Sequence, residues 1–72
     1  MEYLLKTKKE MLEFLDSKRN WYINEERNPF TEMKMVSYIS NGMQKIQALN
    51  VDDNTLIKMY DVNNELVVEI SK

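Results

Sequence analysis

Residues 31–49 read TEMKMVSYISNGMQKIQAL, and the fold turns on whether this stretch is one helix or two strands. As a helix, Met35, Val36, Ile39, Met43, Ile46 and Leu49 fall at near-heptad spacing, with Thr31 or Asn28 as the cap. As strands, Met33, Met35 and Ile39 share a face, Asn41-Gly42 is the strongest short hairpin signal, and Ile46 and Ala48 continue that face. Gly42 costs a helix ~1 kcal/mol. The run Val36-Ser37-Tyr38-Ile39-Ser40 also prefers a strand. The six periodic positions outweigh both objections. The stretch is read as a helix, with the Asn-Gly hairpin as the alternative.

Downstream the pattern changes period. Thr55–Asp61 and Glu65–Ser71 alternate apolar and polar residues, and Val62-Asn63-Asn64 between them has turn composition. A β-hairpin with one buried face is expected, carrying Ile57, Met59, Leu66, Val68 and Ile70 inward. Upstream, Thr7-Lys8-Lys9-Glu10 has the form of a capping box. Met11, Leu12 and Leu15 behind it mark one helical face, predicting a helix over roughly residues 8–19. Leu5 suits a hydrophobic staple onto Met11 or Leu12, and residues 2–6 form a short strand or a further turn. Between the two helices, Trp21-Tyr22-Ile23 reads as a short strand and Glu25–Pro29 as a turn. The expected architecture is α+β over residues 1–72 as one domain: a capped N-terminal helix, a second helix and a C-terminal antiparallel hairpin.

The chain has 72 residues and contains no histidine and no cysteine. A domain this short buries only ~60% of its unfolded surface. Disulfides and thiolate or imidazole metal sites are unavailable as staples, so association with a partner is the remaining support. Apolar residues make up 43% and charged residues 31%, which is a globular composition. No apolar run approaches the ~18 residues of a membrane span, so cytoplasmic residence is expected.

The same absences exclude chemistries. Nucleophilic triads need a base that titrates near neutrality beside serine or cysteine, and that base is usually histidine. Phosphate loops need clustered glycines, and Gly42 stands alone. Asp52-Asp53, Glu25-Glu26 and Asp61 are carboxylates in expected loops or strand ends, where nothing raises a pKa. Asn50–Asn54 lacks the ligand spacing of a calcium loop. No catalytic residue, cofactor or metal is therefore expected, and the chain is read as non-enzymatic.

Binding is what remains. Arg19, Trp21, Tyr22, Arg27 and Phe30 place five residues of hot-spot type close together, and Asp52 and Asp53 form an acidic loop able to mimic phosphate for a basic partner. These seven are the candidate partner contacts. Trp21 is expected to be core, with Tyr22 and Arg27 more exposed. Met11, Met33, Met35, Met43 and Met59 read as core filler, or, through Met35, Ile39, Met43, Ile46 and Leu49, as a dimer seam. Nucleic-acid binding of winged-helix-like type is the rival reading. Against it, residues 1–36 balance Lys6, Lys8, Lys9, Lys18, Arg19, Arg27 and Lys34 with Glu2, Glu10, Glu13, Asp16, Glu25, Glu26 and Glu32. A homodimeric structural or assembly protein is the third.

Lysine outnumbers arginine eight to two and asparagine occurs eight times. In that composition the chain resembles the small accessory proteins of phages and mobile elements in AT-rich Gram-positive bacteria, a group that includes anti-CRISPR proteins. The resemblance implies a stoichiometric inhibitor or adaptor of a host protein and assigns no residue a role.

Overall fold

The computed structural model describes residues 2–71. The chain runs β1 (Leu4–Thr7), α1 (Lys8–Glu25), α2 (Pro29–Ala48), β2 (Leu56–Val62) and β3 (Glu65–Ile70). It is an α+β domain in which an antiparallel helical hairpin covers one face of a three-stranded antiparallel sheet of order β1-β2-β3.

The stretch at 31–49 is helical to Ala48, with Leu49 as the extended C-cap. Asn28 caps it by accepting from the amides of Phe30 and Thr31, and Pro29 occupies the first turn, where its missing N–H costs nothing. The C-terminal end is held by Lys8, whose ammonium donates to the carbonyls of Leu49 at 2.9 Å and Val51 at 3.3 Å. A cation there also complements the helix dipole.

The capping box at Thr7 forms as expected. Glu10 N–H donates to the Thr7 hydroxyl, and the Glu10 carboxylate accepts from the Thr7 amide. Hydrogen bonds to that carboxylate from the Thr7 amide and then the Thr7 hydroxyl hold the Glu10 pKa below its usual value. Thr7 is both the last residue of β1 and the helix cap, so β1 passes into α1 with no loop. Leu5 does not staple the helix. It pairs with Lys58 in the ladder, shares the parity that faces away from the helices, and is 47% exposed.

Helix α1 continues to Glu25, so the short strand expected at Trp21-Tyr22-Ile23 does not exist. Those residues have strand propensity, but Tyr22 lies seven positions after Leu15 and extends the Met11-Leu15 line onto the core. Burying that line outweighs a few tenths of a kcal/mol of local preference.

The core is Met11, Leu15, Ile39, Ile46, Ile57, Met59 and Leu66, with Leu12, Phe14, Tyr22, Tyr38, Met43, Leu49 and Val68 packed against it. The stripe considered above as a dimer seam is thus turned inward, with Ile39 and Ile46 buried in the chain's own core. At the hairpin, Asn63 and Asn64 have φ of 54° and 63°, the two left-handed residues of a type I′ turn joining the paired Val62 and Glu65.

Candidate functional site

Helix phase sorts the candidate residues. Successive residues step about 100° around a helix. On α1, Trp21 comes six positions after buried Leu15 and so sits about 120° off the core line. It is 53% exposed, while Tyr22 packs on the core and meets the Trp21 ring edge-on at 5.0 Å. The expected order is reversed: Trp21 is the exposed aromatic and Tyr22 the half-buried one. Arg19 is half-buried, pairs with Asp16 at 3.3 Å, and keeps a buried Nε without a hydrogen-bond partner. Arg27 is exposed in the link between the helices.

On α2, Phe30 precedes buried Ile39 by nine positions, which is half a turn away from the core. It is 85% exposed. Met33, one turn later, is 71% exposed. Met33 lines a shallow hollow with Ile23, Pro29, Glu32, Val36 and Ser37. Lys34, Met35 and Tyr38 share a hollow with the hairpin, and Tyr38, Gly42 and Lys45 meet it, while the first turn of α2 lines a hollow with the end of α1 instead. The molecule is 39 Å long and only 23 by 19 Å across. Its projecting tip carries Ile23, Phe30 and Met33 together, with Trp21 on the flank.

Asp52 and Asp53 are exposed but lie elsewhere. The Asp53 carbonyl accepts from the Lys9 amide at 3.1 Å, which fixes the loop at the opposite end of α1. That helix has 18 residues, so about 27 Å separates the acidic loop from the tip. The seven candidates therefore form no single surface. Sequence reasoning passed over Met33 and Ile23. The signal for Met33 was available once 29–48 is taken as one helix, since it lies about 120° from Ile39.

Comparison with known proteins adds no relative: no family model, no curated protein and no solved structure matches this chain. The functional reading rests on the surface itself.

Two other features compete with the tip. The sheet face turned from the helices exposes Tyr3, Leu5, Leu56 and Val62. It is interrupted by the Lys58–Glu69 ion pair at 3.4 Å, by Tyr60 donating to Glu69, and by Lys58 lying over the Tyr3 ring. The second feature is the Tyr38 hydroxyl, which donates to Asp61 between two open hollows. Burial, and then the Asp61 carboxylate, push the Tyr38 pKa up to about 12. A phenol so held is a fixed donor tying α2 to β2. Among the described residues, no three carboxylates converge as a cation site, and no helix is long and apolar enough to cross a membrane.

Proposed function

We propose that this chain is a non-enzymatic protein-binding module that docks through the projecting tip of its helical hairpin. The observation that carries the reading is Met33, 71% exposed in one hollow with Ile23, together with Phe30, 85% exposed one turn before it on α2. Burying a side chain of this size is worth ~1.5–3 kcal/mol. A domain with seven buried core residues leaves that gain unrealised at its most prominent point. Single exposed apolar residues are ordinary, but a clustered set on a protrusion is the form that interaction sites take. Phenylalanine and methionine also suit a contact that inserts into a partner's groove. The binding is stoichiometric: the module blocks or bridges its partner and performs no chemistry on it. The compositional likeness to accessory proteins of phages and mobile elements is compatible with an inhibitor or adaptor of a host protein.

The charge distribution favours a protein over nucleic acid as the partner. Of the two basic residues on α2, Lys45 already engages Glu65 and the Leu66 carbonyl. The test is capture from host lysate by the wild type, by Phe30→Ser/Met33→Ser and by Asp52→Asn/Asp53→Asn, each first shown to melt like the wild type. The tip variant should lose the captured protein and the loop variant should keep it. Capture retained by the tip variant overturns the reading. So does oligonucleotide binding that weakens steeply with salt.

A further inference from the structure

The backbone of β3 fits a particular occupant. The two-residue turn makes Val62 and Glu65 a hydrogen-bonded pair, so Tyr60 with Val67 and Lys58 with Glu69 are hydrogen-bonded too. The Ser71 amide, next in this series, donates to the Leu56 carbonyl at 3.0 Å. By alternation, the amides and carbonyls of Leu66, Val68 and Ile70 point away from β2. No strand lies beyond β3 among the described residues. Lys45 donates to the Leu66 carbonyl at 2.7 Å, which marks the direction in which these groups point.

We infer that β3 is the seam of a two-fold dimer, pairing antiparallel with β3 of a second copy about Val68. Such a contact is isologous, so the strand must be complementary to its own reverse. In this register Leu66 faces Ile70 of the second copy, Val68 faces its equivalent, Val67 faces Glu69, and Glu65 faces Ser71. The helix-side row is wholly apolar, and it covers Ile70, which is 43% exposed in the single chain. No like charges face one another. Moving the axis to Val67 sets Glu65 against Glu69, which is repulsive. Moving it to Glu69 removes Leu66 from the paired segment. Val68 is thus the one centre that pairs all three outward residues without opposed charges.

The charges on β3 are already neutralised within the chain. Glu65 pairs with Lys45 at 3.3 Å and Glu69 with Lys58 at 3.4 Å. Edges that avoid association carry lysine, proline or a bulge. Residues 65–70 contain no lysine or proline, and their register with β2 is unbroken. The Leu66 carbonyl has two lone pairs, so it can keep Lys45 and still accept the Ile70 amide of the second copy. Three facing pairs at two bonds each give about six new backbone hydrogen bonds. The inference stands apart from the tip reading and uses none of its residues.

Sedimentation over micromolar to millimolar concentrations should show a dimer. The chain has no cysteine, so Glu65→Cys carries a single spin label. Residue 65 faces 71 of the copy, which sets the two attachment points six residues apart along the seam, roughly 20 Å. That distance reads the register in a chain otherwise wild type. Val68→Pro removes an outward N–H that serves no internal bond, and Ile70→Lys places a charge in the apolar row. Each should raise the dimer dissociation constant at least about tenfold; Ile70→Lys, at an exposed position, should keep the melting curve, while Val68→Pro, which gives up packing on the core, should melt lower. A wild type that stays monomeric at millimolar concentration overturns the inference. So does a dimer with a different label distance, or one that both variants leave intact.

Discussion

Gly42 is the residue that made 31–49 ambiguous, and its place explains why a helix tolerates it. A Cβ there would stand 2.5 Å from the Leu66 Cδ1 atom, with Leu15 Cδ1 also at 3.5 Å. The missing side chain leaves room for the Leu66 side chain against α2, and that packing offsets part of a propensity cost of ~1 kcal/mol. Tyr38 acts on the same junction through its bond to Asp61. Its folded pKa, raised to about 12, exceeds the unfolded value near 10. The stability it contributes is therefore complete below pH 10 and is lost as pH climbs through 12. An absorbance titration should show one of the four tyrosines ionising late, near pH 12. Tyr38→Phe should abolish that late step, and its persistence would mean that another tyrosine is the one held back.

The elements were legible where two local signals agreed. At α1 the capping box and the Met11-Leu15 spacing pointed the same way, and at the C-terminus alternation and turn composition did. They were misread where local propensity opposed tertiary burial, as at Trp21-Tyr22-Ile23, whose β-prone side chains are helical because Tyr22 reaches the core. The hairpin turn tests the local chemistry directly. Asn63 and Asn64 both take left-handed angles, and asparagine tolerates that region less well than glycine. Asn64→Gly should raise stability by a few tenths to about 1 kcal/mol, and Asn64→Val should lower it by about 1–3 kcal/mol. Urea midpoints measure both. Equal midpoints for the two variants would exclude a type I′ turn in solution.

At the scale of the molecule, the expectation of a partner surface came from the sequence more readily than a place for it. Trp21, Arg27 and Phe30 do sit towards the tip, but Asp52 and Asp53 belong to the other end. Met33 and Ile23 could be placed only once both helices were known to overhang the sheet. The core is small enough that one deletion should matter. A domain of 72 residues has ~4–11 kcal/mol of stability. Ile46 is fully buried in the core, and Ile46→Ala should cost ~2–5 kcal/mol. The variant should then unfold at a far lower urea concentration or be unfolded in buffer. A loss below 1 kcal/mol would show that the site collapses around the gap.

The direct passage of β1 into α1 also bears on how the chain is made. Leu4 pairs with Met59 and Thr7 with Leu56, so the first strand waits for residues more than half the chain away. A nascent chain that has reached only Asn54 can form both helices, yet Met11, Leu15, Ile39 and Ile46 then have no sheet to lie on. Local helices form early and distant strand pairs late. Residues 55–70, which supply β2 and β3, convert an apolar helical hairpin into a closed domain. Susceptibility to proteases and to aggregation is concentrated in the interval before that step.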